Sequence, residues 1–212
     1  MAARRKFENT TLKLVLASAS ERRLTLLHQI GIVPALVDPT GIDERLSLPG
    51  ETPTQMAAHL ARQKAELAFA LHPDSLVLGA DTLVACGRRV LMKPEDSHDA
   101  QAFLSLLSGR RHRVHTGLCL IGSGKMRQRF VTTVVRFKRL TDREIQSYID
   151  SNEWRGKAGA YAIQGRAGAF VKAINGSYSN VVGLPLYETY VLLTSFGYCL
   201  PAVDLEKSKV TV

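Results

Sequence analysis

A chain of 212 residues suits one domain, or two small lobes on a shared core, and is too short for a multi-domain machine. Apolar residues make up 45% and charged residues 22%, which excludes a wholly disordered chain. The net charge is +9, and it is not spread evenly: ten Lys/Arg and one acid, Asp142, stand between Arg110 and Arg143, while the rest of the chain balances. Such a stretch either faces solvent or meets an anion: a nucleotide, a nucleic acid or a membrane surface.

Cys86, Cys119 and Cys199 are odd in number and form no C-x-x-C pair. Neither a disulfide framework nor a structural zinc site is expected, and a reducing, cytoplasmic setting fits. No apolar run reaches the roughly 18 residues of a membrane span. The best stretch, Val181 to Val203, is broken by Pro185, Glu188 and Pro201. Leu14–Ala17 behind a basic start is too brief for a secretory signal. Residues 1–11 and 201–212 read as tails around a single domain over 12–200.

In chain order, Leu12 to Ala17 reads as a buried strand. Ser18-Ala-Ser20 then opens a helix carrying Leu24, Leu26, Leu27 and Ile30, with Gly31 as its left-handed cap. A strand over Val33–Val37 and a loop over 40–53 follow. Thr54 is the expected cap of a helix bearing Met56, Leu60, Lys64 and Leu67. Leu76–Ala80 is a second buried strand running into Asp81-Thr82, and a hairpin turns near Cys86-Gly87-Arg88. Ser97 starts a helix that Gly109 stops. Paired strands over 112–121 and 126–138 flank Gly122-Ser-Gly124. Thr141-Asp-Arg-Glu144 is a capping box for a helix through Ile149. Short strands at 160–163 and 169–174 precede a helix from Pro185 to Phe196. Interleaved strands and helices give an α/β fold with mixed sheet.

No Walker loop, G-x-G-x-x-G, H-E-x-x-H or G-x-S-x-G is present, so chemistry must come from groups scattered at strand ends. Ser18-Ala-Ser-Glu-Arg-Arg23 places hydroxyls, helix N–H groups and two arginines at a strand–helix junction, which suits phosphate. It is equally an ordinary N-cap with surface arginines. Asp81, at the end of an apolar strand, sits where α/β sheets hold ligands. It is a general base, a metal ligand or a turn-forming residue. Lys93 beside Pro94, and Lys64, offer point charges for a polyphosphate or merely face water. The small residues of Lys157–Gly165 allow close backbone approach, and Gln164 brings an amide that both donates and accepts, as reading a nucleobase edge requires. Tight packing of short strands is the other reading.

Taken in order, Leu16-Ala-Ser-Ala-Ser-Glu-Arg-Arg23, Gly79-Ala-Asp-Thr82, Lys93-Pro94, Leu107-Ser-Gly109 with His115-Thr-Gly117, Lys157-Ala-Gly-Ala-Tyr161, Ile163-Gln-Gly165 and Asn175-Gly-Ser-Tyr178 with Val181-Val-Gly-Leu-Pro185 resemble the Maf family of nucleoside triphosphate pyrophosphatases. The resemblance implies a mixed, twisted sheet flanked by helices in two lobes with a central cleft, similar to inosine triphosphate pyrophosphatases. It implies hydrolysis of a nucleoside triphosphate to the monophosphate and pyrophosphate with a divalent cation, Mg2+ or Mn2+. Position by position, Asp81 matches the catalytic base, and Arg22, Thr82 and Gln164 the positions that set substrate choice. Glu44, Lys64 and Lys93 match charged cleft residues. Ser18, Arg22, Arg23, Lys64 and Lys93 are the expected triphosphate contacts, and Asp81 with Glu44 the expected metal ligands. The Lys-Ala-Gly-Ala-Tyr and Ile-Gln-Gly pattern resembles the subgroup acting on dTTP and UTP rather than the one acting on 7-methyl-GTP. The chain departs from the family at Glu21, Gly156 and Ala162, where proline, aspartate and glycine are usual. A homodimer is compatible with this reading. A basic nucleic-acid-binding module explains the charge but not Asp81, Lys93 and Gln164, and Phe130 and Phe137 are too few aromatics for a stacking platform.

Overall fold

The computed structural model describes residues 12–42 and 50–199. Glu44 and the two expected tails lie outside them. Strand β1 (Leu14–Ala17) is a run of four buried apolar residues with a parallel neighbour on each side. On one side lies β2 (Leu36–Val37), reached through helix α1 (Glu21–Gln29). On the other lies β3 (Leu76–Cys86), reached through α2 (Pro53–Leu71). The chain thus leaves β1 first to one side and then to the other. In a doubly wound sheet that reversal opens a crevice beyond the carboxyl end of the strand.

Past β3 the sheet turns antiparallel. The order β2-β1-β3 continues through β5 (Arg111–Gly122), β6 (Lys125–Phe137) and β7 (Val171–Asn175), with β4 (Arg89–Leu91) folded back on β3. Alternation along β3 sorts its residues onto two faces. Leu76, Leu78, Ala80 and Val84 join α1 (through Leu26 and Leu27) and α3 (Ser97–Leu107, through Leu104 and Leu107) in one cluster. Val77 packs on the other face with Ala61, Ala65 and Ala68 of α2. The first cluster also takes in α4 (Asp142–Asp150), α5 (Tyr178–Val182) and α6 (Leu186–Ser195), so apolar packing is continuous beneath the crevice.

Several expected boundaries move. The strand over Val33–Val37 shrinks to Leu36–Val37, because Pro34 has no N–H to give the ladder. The cap of α2 is Thr52, not Thr54: Pro53 suits the first helical position, and Thr52 and Gln55 form a reciprocal capping box. Thr54 instead lies 3.0 Å from Nδ1 of His115. No strand forms at 160–163. Gly159 and Ala160 take positive φ of 70° and 61°, which breaks an extended run, and a 3-10 turn covers Ala158–Ala160. A second 3-10 segment, Arg166–Phe170, replaces the start of the strand expected at 169–174. Pro185 caps the last helix rather than entering it, and α5 was not expected at all. The paired long strands, the Gly31 cap and the Thr141 capping box form as read.

Candidate active site

Strand β1 stops at Ala17, opposite Gly79, while β3 runs on through Asp81 and Thr82. The carboxylate is therefore not at the end of its own strand, as the sequence suggested. It lies just beyond the end of the neighbour, on a strand held by β5. A cavity of about 530 Å3 opens there, lined by the Ala17–Arg23 turn, Asp81, Thr82, Lys64, Lys93, Lys157, Gln164 and the 181–183 turn.

Asp81 points to the face covered by α2. Its Oδ1 accepts a hydrogen bond from Lys64 Nζ at 2.5 Å, and both side chains are buried. Two glycines allow this approach. A Cβ on Gly79 would stand 2.3 Å from the Ala61 carbonyl oxygen, and one on Gly117, the cross-strand partner of Asp81, 2.3 Å from that of Ala57. Helix and sheet backbones touch because neither glycine carries a side chain and α2 presents alanines there. That closeness brings a short-range pair together from Lys64 and Asp81.

Thr82 faces the opposite side. Its hydroxyl donates to the Gly183 carbonyl at 3.3 Å and lies 3.0 Å from Thr116 Oγ1. Arg23 is buried beneath it. Its guanidinium donates to Ser18 Oγ at 2.7 Å, to Thr82 Oγ1 at 3.2 Å and, through Nε, to the Gly183 carbonyl at 2.9 Å. Expected as a phosphate contact, Arg23 is held by protein acceptors and joins three cavity walls. Ser18 is likewise engaged, accepting from Ser20 N–H at 3.3 Å as well as from Arg23.

The remaining cations face the opening. Half-buried Arg22 is held below its ordinary pKa by desolvation and by the charge of Arg23. Lys157 is lowered too, first by burial and then by Arg22. Charges crowded in this way are relieved by an incoming anion. Ser20 caps α1 without a side-chain hydrogen bond; Arg23 N–H donates to the Ser20 carbonyl at 3.0 Å, while the N–H groups of Glu21 and Arg22, both in the cavity lining, have no protein acceptor among the described residues.

Gln164 is exposed at the wall of the same cavity. Gly165 N–H donates to the Ala162 carbonyl at 3.0 Å, closing a turn with Ile163 and Gln164 at its apex. Ile163 enters the core while Gln164 faces outward. Its side chain makes no hydrogen bond within the described residues, so its amide is available to a ligand.

Asp81 is the buried carboxylate of the cavity, and Glu21 an exposed one. With Oδ1 engaged by Lys64, Oδ2 is the oxygen that could meet either a water or a hard cation. A site of one or two carboxylates completed by water and phosphate oxygens suits Mg2+. The described residues hold one cluster of three potential metal ligands, Asp96, His98 and Asp99, and it lies outside this cavity.

Of the expected site residues, Ser18, Arg22, Arg23, Lys64, Asp81, Thr82, Lys93 and Gln164 all line the one cavity, and Glu44 falls outside the described residues. Lys157, Thr116 and Gly183 were not singled out as site residues. Each stands in a motif that carries the resemblance, but its contribution depends on which chain segments meet.

A polyanion-binding crevice at the switch point of a mixed α/β sheet defines the class: an α/β protein built to take a phosphorylated ligand. The family described as Maf-like protein matches residues 13–196, and the chain belongs to it. Relatives include the dTTP/UTP pyrophosphatase of Agrobacterium fabrum, 55% identical over 90% of this chain and 95% of its own length. That of Paramagnetospirillum magneticum is 56% identical over 87% and 97%. The nucleoside triphosphate pyrophosphatase of Ehrlichia canis is 50% identical over 90% and 97%. Among solved structures, a HAM1 protein from Coxiella burnetii aligns over 87% of this chain and 99% of its own, at 16% identity and a TM-score of 0.48. No helix among the described residues is long and apolar enough to cross a membrane.

Proposed function

We propose that this chain hydrolyses nucleoside triphosphates, dTTP and UTP in preference, to the monophosphate and pyrophosphate. The observation that carries the reading is the buried Lys64–Asp81 pair on the wall of a cation-lined cavity that faces a free glutamine amide. The names of the relatives support the substrate class.

Arg22, Lys93 and Lys157 meet the phosphates, with the N-terminal N–H groups of α1. Lys64 fixes one oxygen of Asp81, and the other takes a proton from the attacking water. The water oxygen bonds to the α-phosphorus as the bridge to the β-phosphorus breaks. Pyrophosphate leaves with the bond's electron pair. Charge that builds on the phosphate oxygens is stabilised by cations already in place. With Asp81 Oδ2 acting as the base, a divalent cation would be held by phosphate oxygens and Glu44, and would supply charge neutralisation and a more acidic water. Arg23 acts from beneath, keeping Ser18, Thr82 and Gly183 in register.

Gln164 reads the base. Uracil and thymine present an acceptor carbonyl beside a donor N–H, which one amide satisfies, whereas cytosine reverses part of that pattern. The test is pyrophosphate release from UTP, dTTP, CTP and 7-methyl-GTP with Mg2+ or Mn2+. UTP and dTTP should exceed CTP by roughly 10- to 100-fold in kcat/KM. Release of no pyrophosphate, or a preference for 7-methyl-GTP, would overturn the reading.

A further inference from the structure

The turn that carries Gln164 is gripped at both ends by side chains that lie outside the cavity. At its start, Ala162 N–H donates to the phenol oxygen of Tyr148, on α4, at 3.0 Å. Tyr148 is 2% exposed, and its ring meets Phe170 edge-on with centroids 5.4 Å apart. The phenol oxygen therefore has little freedom. Just past the turn, Arg166 N–H donates to Glu153 Oε2 at 2.8 Å. Between them, a Cβ on Gly165 would stand 2.2 Å from that same carboxylate oxygen. The absent side chain is what lets Glu153 close on the backbone here. Neither Tyr148 nor Glu153 lines the cavity that holds Asp81 and Gln164.

We propose that Tyr148 and Glu153 are positioning residues that set nucleobase selectivity by clamping the Ala162–Arg166 backbone and so aiming Gln164. This rests on the base-reading role of Gln164. Asp81 and Lys64 stand on β3 and α2, Arg22 on α1 and Lys93 after β4, and Lys157 precedes the clamped Ala162–Arg166 stretch, so loss of the clamp falls on discrimination before it falls on the chemical step. An amide must meet a donor and an acceptor on one base edge at once, and both hydrogen bonds weaken steeply with misalignment. A loosened turn forfeits that match, and a base with a different edge gains relative to uracil. Glu153 acts as an acceptor for a backbone N–H, a task that the isosteric glutamine also performs.

The experiment measures kcat/KM for UTP and CTP in Tyr148→Phe, Glu153→Ala, Glu153→Gln, Gln164→Ala and the doubles with Gln164→Ala, alongside thermal unfolding. Tyr148→Phe and Glu153→Ala should each lower the UTP-to-CTP ratio by roughly 3- to 10-fold, with kcat for UTP nearly kept. Glu153→Gln should hold the wild-type ratio. In the Gln164→Ala background neither Tyr148→Phe nor Glu153→Ala should move the ratio further, which general loosening of the fold would not produce. A ratio that responds to Gln164→Ala but not to the two single variants would overturn the clamp alone, as would an additive loss in the doubles. A ratio that Gln164→Ala leaves unchanged would overturn the base-reading role and the clamp with it. A variant too unstable to assay is replaced by Gly165→Ala, which forces the same carboxylate away and should give the same loss of ratio. An unchanged ratio there counts against the clamp.

Discussion

Lys64 and Asp81 meet across two backbones that touch. Nζ of Lys64 lies 2.5 Å from Oδ1 of Asp81, and both side chains are nearly closed to solvent. Two charges in such a place are costly unless each has a partner. The pair also fixes which carboxylate oxygen is engaged and which faces the cavity. A base with one oxygen anchored has few orientations left, which shortens its search for a water.

Asp81→Asn tests the base directly. The swap is nearly isosteric, and Lys64 keeps an oxygen acceptor, so the fold should survive. Turnover should fall by about 100-fold or more, the usual scale for a lost general base. Steady-state pyrophosphate release and circular dichroism on the same sample decide it. A folded variant with near-normal release contradicts the role.

Gly117→Ala tests the contact that brings the pair together. The new methyl group would meet the Ala57 carbonyl carbon at 2.6 Å and Ala58 Cα at 2.7 Å, all of it backbone. The helix must shift, at a cost of roughly 1–3 kcal/mol. Lys64 moves with it, so kcat should drop more than the loss of folded protein explains. Urea unfolding with kcat per folded molecule separates the two effects. A variant of wild-type stability and wild-type kcat would show that the close contact is dispensable.

The parts legible in sequence were those set by local chemistry. Alternation in 112–121 and 126–138, the Thr141 capping box and the Gly31 cap each depend on residues within a few positions. What escaped depends on partners far along the chain. Residues 160–163 read as a strand, yet Gly159 just before them passes Val84 so closely that a Cβ would stand 2.8 Å away, and the backbone turns instead. Arg22 and Arg23 are neighbours of one type in the sequence. Only the packing of α1 on the sheet decides that Arg22 faces the cavity and Arg23 the Thr82–Gly183 wall. The resemblance located Gln164, but not Tyr148 or Glu153, because the contacts that hold its turn span 14 and 13 residues.

Lys93→Ala and Arg22→Ala should separate triphosphates from monophosphates. Both side chains line the cavity, Arg22 from α1 and Lys93 from the stretch that follows β4. Charge on the β and γ groups is what they would meet. Each variant should weaken UTP by roughly 10- to 100-fold, the worth of one charge-assisted contact, and UMP far less. Competition by UTP and UMP against a fluorescent nucleotide gives both numbers. Equal weakening would place these residues at the α-phosphate or the sugar.

His112 makes folding sensitive to acid. It is 2% exposed, its Nε2 lies 2.8 Å from the hydroxyl of Tyr161, and its ring packs edge-on against Phe137. Burial pushes its pKa from 6.5 down to about 4. Between those values the unfolded chain binds a proton that the folded chain refuses. Stability therefore rises with pH through that window and falls as pH drops from 6.5 towards 4. A shift of two to three units corresponds to about 3 kcal/mol over the whole window. Glu144, held low at about 2 by Lys138, titrates beneath it. His115, also lowered by burial, acts in the same direction, so a comparison is needed to isolate His112. His112→Gln keeps a polar group towards Tyr161 and cannot titrate. Urea unfolding at pH 7 and pH 4.5 should show wild type losing about 2 kcal/mol more than the variant. Because Tyr161 lines the cavity, wild-type UTP turnover should be lost on the same acid limb as the folded state. Parallel stability curves for wild type and His112→Gln would mean that the acid sensitivity arises elsewhere.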